Sequence, residues 1–268
     1  MIPLRSVELS RTALGDGNDF PFQLPIIANL DRWLFTQPVT FLVGENGSGK
    51  STLLEALAIA AERIAVGSED LARDTSLAGL QELGAALRLT WNRKTRRGFF
   101  LRAEDFFGYA KRIAALAAEA EGELERVDEE YADRSDYARG LARGPHARTL
   151  AEIRALYGDG LDAQSHGESF LKLFASRLVP GGLYLLDEPE VPLSPLRQLA
   201  LLAMLRDAAV DGSQFVIATH SPILMALPGA EIWSCDSAPI ERVAWEDLEH
   251  VTLTRSFLND PERYLRQL

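Results

Sequence analysis

Residues 44–51 read GENGSGKS, and no other stretch limits the fold of this chain so tightly. The segment follows the apolar run VTFLV. It precedes STLLEALAIAAERIAV, where Leu53, Leu54, Leu57 and Ile64 recur at helical spacing. A glycine-rich turn between a buried strand and an amphipathic helix is the layout of a phosphate cradle. Gly44, Gly47 and Gly49 let the main chain wrap close to an anion. Successive N–H groups then point inward, and the helix N-terminus adds its positive end. Lys50 is expected to reach the β- and γ-phosphates of a nucleotide, and the Ser51 hydroxyl to ligate Mg²⁺.

A second constellation lies far along the chain. In GLYLLDEPE, residues 182–190, an apolar run ends on two acids. A buried strand ending at Asp187 places a carboxylate at the C-terminal edge of a sheet, where α/β folds gather ligands. Asp187 suits Mg²⁺, directly or through its hydration shell, and Glu188 suits orienting or deprotonating an attacking water. Taken alone, the pair also reads as a strand end with solvated acids. SHGES at 165–169 stands just before the helix FLKLFASRL. Ser165 and Gly167 offer a hydroxyl and an unhindered N–H to an anion, which by itself is indistinguishable from a helix cap. His220 ends the apolar strand QFVIAT. It reads either as a packed histidine or as a sensor of a terminal phosphate.

The remaining composition bounds the rest. The 268 residues carry 28 Lys and Arg against 39 Asp and Glu, a net charge of −11 that repels polyanions over the molecule as a whole. A basic cluster, Arg93, Lys94, Arg96 and Arg97, reads as the charged tip of a hairpin between the strands ALRLTW and GFFLRAE, or as a local nucleic-acid contact. Cys235 is the single cysteine, which excludes an internal disulfide and a cysteine-based zinc site and suits a reducing cytoplasm. MIPLRSVELS lacks the layout of a signal peptide, and no apolar run is long enough for a membrane span. A cytoplasmic protein without membrane insertion is expected.

Strands alternating with helices predict an α/β fold with a mostly parallel central sheet. An antiparallel β portion is expected at the N-terminus, with LRSVELSR as a strand and GDGND as a turn. From 106 to 157 the composition shifts to Ala, Glu and Arg. This predicts a helical lobe inserted between the cradle and SHGES, with a flexible stretch at ARGLARGPHA. The whole of 1–268 is read as one domain.

The order GENGSGKST, SHGES, LYLLDEPE, LSP, ATHSP is similar to that of the ABC-type ATPase heads. The resemblance is to the P-loop NTPases of the soluble branch that includes RecF and the SMC chromosome ATPases, and above all to small prokaryotic AAA/ABC-like ATPases. It implies a head-to-head homodimer that sandwiches two ATP molecules with Mg²⁺. Gly44, Glu45, Asn46, Gly47, Ser48, Gly49, Lys50, Ser51 and Thr52 would hold the phosphates in one subunit. Ser165, Gly167 and Glu168 of the other would close on the γ-phosphate, with Ser194 in the loop that communicates across the dimer and His220 as γ-phosphate sensor. Glu188, His220 and Lys50 would be the catalytic set, and Ser51 and Asp187 the metal ligands. The family's glutamine that touches Mg²⁺ and the attacking water has no clean counterpart. Glu104, beside Arg102, stands in its place, and Pro192 replaces a small residue. SHGES differs from the S-G-G-Q of transporters. The interval between Lys50 and Asp187 leaves no room for long heptad arms, which excludes tethering of DNA by a coiled coil. Phe20 and Phe22 are the aromatic candidates for stacking on a base.

Three functions fit this reading. The first is a soluble ATP-hydrolysing dimer switch acting on an unidentified client. The second is an ATP-controlled DNA repair or defence factor. The third is the energising subunit of a transporter.

Overall fold

The computed structural model describes residues 1–10, 19–66, 78–157 and 166–266. Two sheets organise these residues. The smaller holds β1 (Leu4–Leu9), β2 (Arg32–Leu34) and β5 (Leu87–Trp91), with β1 in the centre and both neighbours antiparallel to it. The larger has the order β10-β9-β3-β8-β7-β6-β4. Its strands are β3 (Val39–Val43), β4 (Ile64–Val66), β6 (Phe99–Arg102), β7 (Leu183–Asp187), β8 (Gln214–Ala218), β9 (Glu231–Ser234) and β10 (Glu241–Arg242). Every pairing in it is parallel except β9 with β10.

The central strands are buried on both faces, so they read as unbroken apolar runs. Their side chains still alternate. Phe41, Tyr184, Leu186, Phe215 and Ile217 enter the core on one face, whereas Leu42, Leu183, Leu185, Val216 and Ala218 enter the core on the other. The second face is covered by α1 (Pro25–Ala28), α2 (Lys50–Ala60), α3 (Ala78–Ala86) and the small sheet. The first carries α4 (Ala103–Glu130), α5 (Asp136–Tyr157), α6 (His166–Arg177), α7 (Pro195–Val210), α8 (Pro222–Met225) and α9 (Glu249–Asn259), followed by α10 (Pro261–Leu265). The result is three layers around one sheet.

Three local expectations need correction. The strands flanking the basic cluster do not form a hairpin: β5 pairs with β1 in the small sheet, whereas β6 lies between β4 and β7 in the large one. The segment between them therefore crosses from one sheet to the other, with Arg93, Lys94, Arg96 and Arg97 exposed along it. The helix after the cradle stops at Ala60 instead of running to Val66, because Glu62 turns the chain through φ 54° into β4. The stretch ARGLARGPHA is helical and lies within α5, with Pro145 inside the helix. Of the GDGND turn, residues 15–18 lie outside the described residues.

Arg63 fixes the crossing segment from below. Its buried guanidinium donates to the carbonyl oxygens of Ala61 at 2.8 Å, Arg97 at 2.6 Å and Thr95 at 2.7 Å. Replacing it leaves these acceptors without their charged donor. Arg63→Met is expected to lower unfolding stability by about 3 kcal/mol, read from denaturant melts. A loss below roughly 0.5 kcal/mol, the range of ordinary surface changes, would show that the segment is held by other contacts.

Candidate functional site

β3 and β7 are separated only by β8, so their C-terminal ends lie about 10 Å apart at ordinary strand spacing. This topology, and nothing local, brings the glycine loop and the two acids together. The loop leaves β3 through Gly44 at φ 145° and enters α2 through Gly49 at φ 97°. Both values lie where side chains are strained. At Gly44 a Cβ would stand 2.7 Å from an Asp236 carboxylate oxygen. The Lys50 ammonium is buried under the loop. It donates to the carbonyls of Gly44 at 2.7 Å and Glu45 at 2.9 Å, with the Ser48 hydroxyl at 3.5 Å. The amine is thus held by main chain on the inner side of the loop, where it braces the arch that would wrap an anion.

Ser51, in the first turn of α2, donates to Asp187 Oδ1 at 3.1 Å, across 136 residues of sequence. The second oxygen of Asp187 faces Arg102 Nε at 3.3 Å. Burial pushes the Asp187 carboxyl above its ordinary pKa, while Arg102 and the Ser51 hydroxyl favour the ionised form. Glu188 follows in the left-handed region at φ 49°, an uncommon conformation for a residue with a Cβ. Glu188 borders two cavities. One, of about 240 Å³, is lined by Ser51, Arg102, Ala103, Glu104, Asp187 and Glu188. The other, of about 530 Å³, is bordered by Gly44, Glu45 and Asn46 of the loop and by His220, Asp236 and His250.

The smaller cavity offers hard oxygen donors and an excess of carboxylates, which suits a small divalent cation. Among the described residues, no group of three or more His, Cys, Asp or Glu could hold a metal unaided. A cation held by Ser51 and Asp187 would complete its shell from phosphate oxygens and water, the usual arrangement for Mg²⁺.

His220 sits beside Glu188, with its Nε2 3.9 Å from Glu188 Oε1, too long for a hydrogen bond. That nitrogen is buried and has no hydrogen-bond partner. The backbone N–H of His220 donates to Glu190 Oε1 at 2.7 Å. Burial raises the pKa of the Glu190 carboxyl, opposed by this donation. Gly167 and Glu168 stand elsewhere. Gly167 lies against the Pro192 carbonyl and the Arg197 side chain, and Glu168 pairs with Lys172 at 3.9 Å and Arg197 at 3.8 Å. Neither borders the two cavities. Ser165 lies outside the described residues. Ser194 is the N-cap residue of α7. Phe20 is exposed and Phe22 packs on the core under the small sheet, so neither faces the loop cavities. Burial pushes the Cys235 thiol up to about 12, which makes it a poor nucleophile.

Four residues at the site escape a reading of motifs. Glu55 pairs with Arg102; its position one helical turn after Ser51 was the available signal. Glu190, two residues after Glu188, is the partly buried acid that anchors the His220 backbone N–H. Asp236 accepts the Glu45 N–H at 2.6 Å, and His250 borders the larger cavity with a buried, unpartnered Nε2. These last two arrive from just after the end of β9 and from α9, and no local pattern announces them.

A family model described as "AAA domain, putative AbiEii toxin, Type IV TA system" matches residues 39–90 and 76–226. The cobalt import ATP-binding protein CbiO of Salmonella typhimurium is 27% identical over 247 residues, covering 87% of this chain and 83% of that protein. Among solved structures, the Smc head domain of Pyrococcus furiosus bound to the C-terminal domain of ScpA is similar at a TM-score of 0.46 and 12% identity, covering 96% of this chain and 100% of that one. CbiO1 of Clostridium perfringens, part of the transporter complex cbiONQ, is similar at 0.45 and 15%, covering 90% and 92%. Among the described residues, no helix is long and apolar enough to cross a membrane.

Proposed function

The chain belongs to this AAA-domain family of ABC-type P-loop ATPases, and from that membership we propose that it binds ATP with Mg²⁺ and hydrolyses it as a nucleotide-driven homodimer switch. The observation that carries the reading is the Ser51–Asp187 hydrogen bond beneath the glycine loop, with Glu188 on the rim of the same cavity. Gly44 to Thr52 cradle the phosphates through main-chain N–H groups and the N-terminus of α2. Lys50, already turned under the loop, neutralises phosphate charge. Ser51 and Asp187 would hold Mg²⁺, which when bound would supply Lewis-acid stabilisation of that charge. Glu188, which lines the cavity, accepts the proton of the attacking water. Glu104, on the same rim, takes the place of a water-orienting glutamine. His220, with a free Nε2 next to Glu188, donates to the terminal phosphate. Catalysis of this kind is mainly positioning and electrostatics.

Gly167 and Glu168 border neither cavity of their own protomer, which supports a role in trans, shared with Ser165 of the same sequence motif. A mixing experiment tests this. Lys50→Ala and Ser165→Arg are each expected to be inactive alone. Combined, they form a mixed dimer in which one composite site has both an intact loop and an intact partner signature. Recovery of ATP hydrolysis on mixing is the expected outcome. If the mixture stays as inactive as its components, the two-subunit site is wrong.

A second reading, an energising subunit of a transporter, draws on the similarity to CbiO. Co-purification with an integral membrane protein from the native host would favour it over a soluble switch.

A further inference from the structure

Arg102 is the last residue of β6 and stands directly across the parallel ladder from Asp187. Its guanidinium reaches two carboxylates at once: Nε lies 3.3 Å from Asp187 Oδ2, and Nη2 contacts Glu55 Oε1. Both acids are nearly buried, with side chains 4% and 7% exposed, whereas that of Arg102 is 32% exposed and borders the smaller cavity. The oxygens of Asp187 are thus divided, Oδ1 to the Ser51 hydroxyl and Oδ2 to Arg102. Two buried carboxylates share one cation, which leaves one negative charge uncompensated before Glu188 and Glu104 are counted. A buried carboxylate needs a partner, so Glu55 cannot release Arg102 without cost. Asp187 can, once another cation replaces it. A planar guanidinium can turn about one carboxylate while leaving the other, which fits this division.

We propose that Arg102 is a positioning residue, the built-in counter-cation of Asp187, and that Glu55 is the acceptor that retains its guanidinium when a divalent cation claims Asp187. The proposal rests on the reading of Ser51 and Asp187 as the cation site and adds what controls access to it. Arg102 competes with the divalent cation for Asp187 Oδ2 until the cation arrives with nucleotide. Glu55, one turn along α2 from Ser51, gives the displaced arginine a place within the protein. Without it, Arg102 would have Asp187 as its sole buried partner in this pair.

The test counts Mn²⁺ bound to the full-length chain by electron paramagnetic resonance, with and without ADP, beside thermal melts of each variant. Without nucleotide, Arg102→Gln is expected to tighten Mn²⁺ binding roughly tenfold, the scale on which an adjacent opposite charge acts on a carboxylate. Arg102→Lys, which keeps the charge, is expected to return the affinity towards wild type. Glu55→Gln, which leaves the guanidinium to Asp187, is expected to weaken Mn²⁺ binding several-fold, on the same electrostatic scale. Unchanged or weaker Mn²⁺ binding in Arg102→Gln, or tighter binding in Glu55→Gln, would overturn the proposal while leaving the site itself intact. A wild-type chain that takes up no Mn²⁺ even with ADP would overturn the cation site and this proposal together.

Discussion

Lys50→Ala is expected to weaken ATP binding by roughly a hundredfold, the equivalent of one or two charge-assisted hydrogen bonds. The side chain is buried beneath its own loop, with its donors on the carbonyls of Gly44 and Glu45. Its replacement therefore has two effects. It removes the one positive side chain that lies within the cradle motif, and it removes a brace from the arch. The two effects separate experimentally. Loss of the brace alone would lower the melting temperature of the free protein, because the contacts involved are made without any ligand. Loss of the phosphate contact appears only in the nucleotide titration. Calorimetry with ATP should give the large change, and thermal melts of the free chain a small one. An alanine variant that binds ATP as tightly as wild type would remove phosphate binding from this loop.

Glu188→Gln should divide binding from turnover. Hydrolysis is expected to fall by roughly 10²- to 10⁴-fold, the range of a lost general base. ATP binding should persist, since the loop and the Ser51–Asp187 pair are untouched. The isosteric amide keeps the left-handed turn at φ 49°, so the cavity rim keeps its shape. With hydrolysis blocked, the closed dimer should accumulate, and sedimentation with ATP and Mg²⁺ should show a doubled mass that ADP does not produce. A variant that remains monomeric under those conditions would refute the sandwich. One that turns over ATP at the wild-type rate would move the base elsewhere, with Glu104 and Glu190 the next acids at the site.

The core of this protein was legible because its signals are local. An apolar run, three glycines, a lysine and a hydroxyl define the cradle whatever surrounds them. The apolar strand of LYLLDEP likewise points to a carboxylate at a sheet edge. Misreadings came where neighbours decide. The strands on either side of the basic cluster look like a hairpin because a charged turn joins two alternating runs. Which sheet each strand enters depends on β1 and β7, both distant in sequence. The end of α2 was misplaced because ERIAV continues a helical pattern, whereas the buried guanidinium of Arg63 finds its carbonyl partners only when the chain turns at Glu62.

The amino-acid sequence alone therefore determined the glycine-rich loop between β3 and α2, the acids at the end of β7 and the α/β architecture, since each follows from short-range spacing and the period of buried strands. The tertiary structure alone decided that Glu55 and Arg102 share the buried charge of Asp187, that Glu190 anchors His220, and that Asp236, after the neighbouring strand β9, and His250, on α9, reach the loop cavity. The reason is physical. A buried charge is stable only beside its partner, and the order of strands, which no short segment encodes, determines which partners can meet.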